Sequence, residues 1–284
     1  MKVAAVGVLT GWGEGISALP DDARRAAAGR TIVTLPPPAA ASERFRRATR
    51  ECRLGVAAVD ALLRAAALDR ETLHGAGTAL VYVTAGAYGA SNRAFIDGEA
   101  ARGGALHFPY TAPSAVPAEV TIEFGITGPY VTFIGGAAAA IDALWHADRL
   151  LAGGACQRAL VLAVETVEEC ASLWARGRWL VGRPLVEAAA CALLLPGAAG
   201  ARAEAAGRAS ALETTVRRRS GETLACAPLI GLALALESGE DAWNVTEHWR
   251  GHRLGFDRSA GPNPRAAAGG RTGRPWSPRK CSTS

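Results

Sequence analysis

The chain has 284 residues, 49% of them hydrophobic and 20% charged, which suits one large globular domain or two small ones and excludes a disordered or collagen-like protein. No apolar run reaches the roughly 18 to 20 uncharged residues that a membrane-spanning helix needs. The net charge of +5 comes from the C-terminus. Residues 258–284 hold six basic residues and no acidic one, so 5 − 6 leaves −1 on residues 1–257 and gives no basis for a nucleic-acid-binding surface there.

The six cysteines stand at positions 52, 156, 170, 191, 226 and 281, and no two of them form a CxxC pair. This spacing argues against a structural zinc site and against a disulfide framework. The apolar start Met1–Leu9 is followed by Trp12 and Glu14 without a cleavage site, which favours a buried first strand over a signal peptide. We therefore expect reduced, buried cysteines in a cytoplasmic protein.

In chain order, Lys2–Leu9 is a continuous apolar run, as expected of a central strand covered on both faces. Gly11, Gly13 and Gly15 form the loop after it. A dinucleotide site is the rival interpretation of this loop, but no helix opens directly on the glycines and no ribose-binding acid is suitably placed.

Hydrophobic periodicity and turn residues predict the remaining elements outside the centre of the chain. They are a helix opened by Ser42 and Glu43 and running to about Ala67, a strand over Ala79–Val83, a short helix capped by Ser114 and ending near Gly125, a strand over Arg158–Glu165, a basic and aromatic loop over Trp174–Arg183, a strand over Glu187–Leu195, a helix or connector over 197–223, a helix over Leu224–Ser238, a last strand within Trp243–Asp257, and a basic, disordered tail over 258–284.

The centre of the chain reads as strand, tight turn and helix. Tyr130–Ile134 is a β-branched and aromatic run typical of a strand, and Gly135–Gly136 allows a sharp turn. Ala137–Leu151 is rich in helix formers. We call this unit the elbow. Many α/β enzymes place a nucleophile at such a turn, because the positive end of the helix dipole lowers the pKa of a thiol there.

The elbow resembles that of the β-ketoacyl synthases, the condensing enzymes of fatty-acid and polyketide assembly. The similar residues are Gly128-Pro129, the turn Thr132–Gly136 and the segment Ile141-Asp142-Ala143-Leu144. Counted back from Asp142, the family's cysteine falls on Ala137, whose methyl group cannot attack a thioester. The resemblance covers about residues 1–196. It implies an α/β, thiolase-like fold, the N-terminal half of a ketosynthase with a mixed sheet covered by helices, in one domain over 1–257.

The two catalytic histidines of the family have no counterparts in the expected setting. His74 lies in a His-Gly-Ala-Gly-Thr segment that looks like a family motif, but it precedes the elbow, so a surface loop histidine is the favoured interpretation. His248 and His252 lie outside the family's motifs, and no third ligand accompanies them for a metal. The resemblance therefore implies no catalytic residue, no metal and no cofactor.

A chain that resembles a ketosynthase but lacks the cysteine of its elbow is similar to the chain-length-factor subunits, which pair with an active ketosynthase and share its acyl tunnel. This resemblance implies as partners an active β-ketoacyl synthase and an acyl carrier protein, in polyketide, aryl-polyene or fatty-acid-like elongation, with no nucleic acid and no membrane. It also implies residue roles. The subunit interface would be formed by Tyr130, Val131, Thr132, Phe133 and Ile134. The end of the acyl tunnel would be lined by Thr111, Ala112, Ser114, Val116 and Phe133. The carrier protein would contact Arg176, Arg178 and Arg183, although the alternative interpretation of this segment is a solvated charged loop.

Two other hypotheses remain open on the sequence. The chain could be a small thiolase-fold acyltransferase or hydrolase that uses other residues, among which Cys170, His146 and His248 are the candidates. It could also be a truncated ketosynthase remnant, since a frameshift can leave a tail like residues 271–284. Turnover by the isolated chain would support the acyltransferase or hydrolase hypothesis. Failure to fold, alone or with any ketosynthase, would support the remnant hypothesis.

Overall fold

The computed structural model describes residues 1–38, 45, 48–86, 88–98, 105–197, 202–205, 211–238, 242–247 and 252–257. Of residues 94, 105–107, 177–181, 202–205, 242–247 and 252–257 it describes the backbone alone. The predicted helix start at Ser42 and Glu43, the candidate residue His248 and the tail 258–284 lie outside the described residues.

The described strands are β1 (Lys2–Thr10), β2 (Gly13–Glu14), β3 (Ile32–Val33), β4 (Thr78–Thr84), β5 (Tyr130–Ile134), β6 (Arg158–Glu165), β7 (Leu185–Val186), β8 (Ala188–Leu195), β9 (Arg202–Ala205), β10 (Ala242–Glu247) and β11 (His252–Asp257). The described α-helices are α1 (Ala23–Ala27), α2 (Arg50–Ala66), α3 (Gly89–Ile96), α4 (Ala115–Phe124), α5 (Ala137–Ala152), α6 (Val167–Val181), α7 (Ala211–Ser220) and α8 (Ala227–Ser238). Short 3-10 helices cover Ile16–Ala18, Arg70–Leu73, Ala105–Thr111 and Leu224–Cys226.

A mixed six-stranded sheet forms the centre of the molecule, in the order β2-β1-β8-β6-β4-β5. Strands β6, β4 and β5 run parallel, whereas β8 is antiparallel to both β6 and β1. The predicted mixed sheet covered by helices is therefore confirmed. The elbow strand β5 lies at one edge of this sheet.

Both faces of the sheet are covered, which explains why its inner strands are apolar without interruption. Every residue of β4 and β6 is buried. Val81 and Val161 point into a core that includes α5 and α8, whereas Leu80 and Leu160 point into a second core that includes α2 and α4. Alternate residues of one strand therefore serve two different cores.

Helix α2 lies directly on β1. Thr49 accepts a hydrogen bond from the backbone N–H of Cys52 and so caps the helix, which begins at Arg50, later than the predicted start. The contact with β1 depends on Gly7, because a Cβ at this position would lie 2.2 Å from the backbone nitrogen of Leu62. A residue with a side chain would push α2 away from the sheet.

A second, three-stranded sheet has the order β10-β11-β9 and contacts α5, α7 and α8. The sequence predicted one last strand within Trp243–Asp257, and the structure has a hairpin there, with β10 and β11 antiparallel from Ala242↔Asp257 to Glu247↔His252. The prediction of a single strand was wrong because two short segments that are each compatible with a strand pair with one another.

Two further predictions need correction. Trp174–Arg183 is not a loop, since α6 continues to Val181 and ends at Gly182, which has a φ of +59°. Its Arg, Ala, Leu and Trp residues are all compatible with a helix, and one internal glycine costs only about 1 kcal/mol. Ser114 directly precedes α4, and Gly125 ends that helix as predicted, but the Ser114 side chain makes no capping hydrogen bond.

Candidate functional site

The elbow has the geometry that the sequence predicts. β5 ends at Ile134, Gly135 has a φ of +152°, and α5 begins at Ala137 after the N-cap residue Gly136. A Cβ on Gly135 would lie 2.8 Å from the Cβ of Ala139, so the turn requires glycine for its space as well as its φ. The N–H of Gly135 donates to the carbonyl of Thr84 across 2.9 Å and fixes the turn to β4.

Ala137 is the first residue of a 16-residue helix and is half-buried. The free N–H groups of a helix N-terminus stabilise an anion, which is why a cysteine at this position would ionise easily. Alanine offers no atom that can ionise or attack a carbonyl. The elbow thus keeps the electrostatic arrangement of a nucleophile site but holds no nucleophile.

The other thiols do not replace it. The cysteines at 52, 156, 170, 191 and 226 are free and buried, as the sequence predicts. Burial raises the pKa of all five, to about 12 for Cys52. Because the thiolate is the attacking species, these cysteines are poor nucleophiles at neutral pH.

A buried carboxyl lies at the end of β6, which β4 separates from the elbow strand β5. Glu165, at the end of β6, is 2% exposed. Its Oε1 accepts from the backbone N–H groups of Ala85 (2.8 Å) and Ala225 (3.2 Å), and its Oε2 accepts from the Cys170 thiol across 3.0 Å. Burial raises the pKa of Glu165 to about 8, although these hydrogen bonds oppose the shift. We call these four residues the Glu165 cluster.

The cluster joins loops that are far apart in the sequence. Ala85 follows Thr84, which receives the Gly135 bond, and Ala225 lies in the 3-10 helix Leu224–Cys226. The only sequence signal was a charged residue at the end of an apolar strand. The Glu165 side chain therefore lies at the carboxyl end of β6, which β4 separates from the elbow strand.

The edge strand β5 is partly unpaired. It pairs with β4 from Leu80↔Tyr130 to Thr84↔Ile134, and it lies last in the sheet order. The carbonyl of Pro129 and the N–H of Gly135 both bond to β4. Along a parallel strand, the backbone N–H and C=O groups of successive residues point alternately to one side and the other. Those of Tyr130, Thr132 and Ile134 therefore point away from β4, toward the open edge. Tyr130 and Ile134 are each 59% exposed, which is unusual for large apolar side chains on an edge strand.

The sequence of residues 36–200 matches the family model described as β-ketoacyl synthase, N-terminal domain, and this match spans more than half of the chain. The chain belongs to the β-ketoacyl synthase family. The match includes the whole elbow, with Ala137 at the start of its helix. No curated protein matches the chain in sequence.

Solved structures with the same fold include assemblies of this family. One is AntDE:AntF, a type II PKS acyl-carrier protein in complex with its ketosynthase bound to the hexaketide (TM-score 0.68, 15% identity, 90% of this chain and 98% of that chain). Another is the ishigamide ketosynthase/chain length factor (TM-score 0.66, 14% identity, 92% of this chain and 99% of that chain). A third is the ketosynthase ApeO in complex with its chain length factor ApeC from Xenorhabdus doucetiae (TM-score 0.61, 14% identity, 90% of this chain and 98% of that chain). At these identities the likeness shows the fold, and it confirms the predicted thiolase-like class.

The residues predicted to line a tunnel are not all brought together in this ketosynthase-like chain. Val116 is fully buried in the core that includes α2. Phe133 packs against the opposite core. Its ring stands edge-on to the ring of His146 on α5, and the two ring centroids are 5.7 Å apart. Thr111 and Ala112 are half-buried at the end of Ala105–Thr111, and Ser114 is exposed. The sheet therefore separates Phe133 from Val116.

The three arginines predicted to contact a carrier protein lie on α6 and directly after it. Arg176 is exposed on α6, and Arg178 lies on the same helix with its side chain outside the description. Arg183 lies beyond Gly182, half-buried, where the charges of Arg217 and Arg24 act on it.

The histidines whose side chains the structure describes, His74 and His146, lie on different elements. His74 is exposed in the loop before β4, as predicted, and His252 begins β11. Within the described part of the chain, no group of three or more His, Cys, Asp or Glu residues could hold a metal ion. Among the described residues, no helix is both long and apolar enough to cross a membrane.

Proposed function

We propose that this protein is a non-catalytic ketosynthase-like subunit of the chain-length-factor type. It would pair with an active β-ketoacyl synthase in the cytoplasm and help to set the length of a chain carried by an acyl carrier protein. One observation carries the proposal: the strand, turn and helix of a ketosynthase elbow are intact around Ala137, which has no nucleophile. The subunit's domain would be residues 1–257.

The subunit contact would form along β5. The outward backbone groups of Thr132 and its neighbours can pair with a strand of the ketosynthase, and burial of Tyr130 and Ile134 would then remove exposed apolar surface from water. At about 25 cal/mol per Å² of apolar surface, two large side chains contribute a few kcal/mol, so the rest of the interface must come from neighbouring elements.

The tunnel end would lie on the α4 side of the sheet, near Thr111, Ala112, Ser114 and Val116. Phe133 is better placed for the subunit contact, since it faces α5 at the sheet edge.

The test is co-expression with the ketosynthase encoded nearest to this chain, followed by size-exclusion chromatography with mass measurement. We expect a stable one-to-one complex whose condensation activity is lost when only the partner's cysteine is mutated. A monomer or homodimer that ignores the ketosynthase contradicts the proposal. Turnover by the isolated chain that is lost on mutation of Cys170 or His146 would instead support an acyltransferase or hydrolase, and absence of a folded product would support a remnant.

A further inference from the structure

A groove lies between α2, the end of β1 and the proline-rich connector that follows β3. Its cavity volume of about 480 Å³ is in the range of ligand-binding sites. Leu9 and Ala57 are half-buried along its floor, whereas Pro36 and Pro37 are exposed on its wall. Apolar surface therefore faces water here, and we call this feature the α2 groove.

The mouth of the α2 groove carries two carboxylates, Glu14 and Asp60, and one guanidinium, Arg64. Arg64 donates from both Nε (3.0 Å) and Nη2 (2.8 Å) to the same oxygen of Glu14, Oε1, so Oε2 has no hydrogen-bond partner among the described residues. Asp60 accepts from Nη2 of Arg70 alone, and each of its oxygens can accept a second donor. A further cation can therefore bind at the mouth without displacing either arginine.

One segment of the C-terminal tail has the complementary chemistry. Residues 274–280 read Arg-Pro-Trp-Ser-Pro-Arg-Lys, which places Trp276 among prolines and cations, and residues 258–284 contain no acidic residue. A tryptophan ring offers a large apolar face with few rotatable bonds, so it suits the proline wall and the apolar floor. The positive charges of the segment suit the excess of carboxylates at the mouth.

A second tryptophan outside the described residues is less able to reach the groove. Trp249 lies within residues 248–251, between β10 and β11. The pair Glu247↔His252 holds both ends of this short segment in the second sheet. The tail 258–284 is held at one end only, by β11.

The tail is long enough to reach the α2 groove. β11 ends at Asp257 and has Cα atoms within 8 Å of β1, the strand that ends in the groove at Thr10. With a rise of about 3.4 Å per residue along each strand, Asp257 and Thr10 are at most about 52 Å apart. The chain from Asp257 to Trp276 can extend to about 63 Å. The difference leaves length for a path around the molecule.

We propose that residues 274–280 bind in the α2 groove of their own chain. Trp276 covers the apolar floor, and the cations of the segment pair with Glu14 and Asp60. The bound segment removes exposed proline and leucine surface from water and straps the proline-rich connector to α2. This inference does not depend on the proposed function, because it concerns two parts of one chain.

Disulfide trapping in the full chain tests the proposal, because Cys281 directly follows the segment. Ala57→Cys places a thiol in the groove, one helical turn from Asp60, and Ala65→Cys places a more exposed thiol on the same helix outside the groove. The five described native cysteines are buried. With diamide as oxidant and dilute protein, position 57 should couple to Cys281 at least about 10-fold faster than position 65, since a disulfide needs Cα atoms within about 7 Å. Mass spectrometry of peptides made without reduction measures both products.

Two further variants make the result specific. Trp276→Ala keeps the charge and the thiol of the tail but should abolish the preference for position 57. Pro37→Cys, on the exposed wall of the groove, repeats the trapping without a change in α2 and should also couple faster than position 65. Equal rates inside and outside the groove, or a preference that survives Trp276→Ala, would overturn the inference. A disulfide that joins two chains instead of closing within one would assign the groove to the tail of a second copy and contradict it.

Discussion

The Cys170 thiol donates a hydrogen bond to Oε2 of Glu165 across 3.0 Å, while the N–H of Ala85 donates to the other oxygen. Ala85 is the next residue after Thr84, whose carbonyl holds the turn of the elbow through Gly135. The Glu165 cluster therefore lies where β4 and β6 end, and it is joined through Ala85 and Thr84 to the turn of the elbow. Its ionisation should be visible in the stability of the protein.

Glu165→Gln should remove a pH dependence of stability. The folded-state pKa of Glu165, about 8, lies above the ordinary value of 4.5, so between these values the folded protein holds a proton that the unfolded chain releases. The stabilising contribution is thus fully present below about pH 4.5 and is lost as the pH rises through 8. Glutamine keeps the oxygen that Ala85 and Ala225 need but cannot ionise.

Urea denaturation from pH 5 to 9 measures this difference. The wild-type free energy of unfolding should fall relative to the variant by up to about 1.4 kcal/mol per pH unit between pH 5 and 8. The contributions of the other titrating groups to the pH dependence cancel in this difference, because both proteins contain those groups. Parallel curves for the two proteins would show that Glu165 is ionised in the folded state.

Ala137→Cys should create the only fast-reacting thiol among the described residues. The new thiol would stand at the N-terminus of α5, whereas burial raises the pKa of the five native thiols. The matched control is Ala152→Cys, which places an exposed thiol at the opposite end of the same helix, where the dipole opposes the thiolate. Iodoacetamide at pH 7 should alkylate position 137 about 10-fold faster than position 152.

Peptide mapping by mass spectrometry assigns each adduct and separates any at Cys281. Equal rates at 137 and 152, or a faster rate at 152, would mean that the elbow does not activate a thiol. We expect no condensation activity from Ala137→Cys alone, since no described histidine stands ready to assist decarboxylation.

Thr132→Pro should prevent pairing with the ketosynthase while leaving the chain's own sheet intact. The N–H of Thr132 points to the open edge, so its loss removes no bond to β4. Proline is tolerated on an edge strand for this reason. The control Thr132→Val keeps the N–H and a similar shape.

Co-purification and thermal denaturation read out the two effects. The proline variant should melt within a few degrees of the wild type but yield no complex, and the valine variant should yield the complex normally. A proline variant that still forms the complex would place the subunit contact elsewhere on the surface.

Gly7→Ala should destabilise the protein by about 3 kcal/mol. A Cβ at Gly7 would meet the backbone nitrogen of Leu62 at 2.2 Å, and a backbone cannot move aside as a side chain can. Gly89→Ala is the matched control, because a Cβ there meets nothing within 4 Å. Denaturant midpoints for the two variants check the difference, and a small loss for Gly7→Ala would mean that α2 shifts along β1 at little cost.

The local elements of the fold could be predicted from the sequence because each is written in neighbouring residues. The run Tyr130–Ile134, the Gly135–Gly136 turn and the alanine-rich helix after it correspond to β5 and α5. The strand predicted over Arg158–Glu165 has the same bounds in the structure. The loop predicted at Trp174–Arg183 failed because charge and aromatic content do not determine helicity, which depends on backbone compatibility and packing.

The sequence by itself determined that a strand, a glycine turn and an alanine-rich helix follow one another over residues 130–152 and that residue 137 is an alanine, since these are local facts. Only the tertiary structure decided that β5 lies at an open edge, that the sheet separates Phe133 from Val116, and that Glu165 collects bonds from Ala85, Cys170 and Ala225. The same holds for Arg183, which lies near Arg24 and Arg217 although the chain separates them widely. Strand order and loop contacts join residues that no periodic pattern links, so local propensity cannot reveal them.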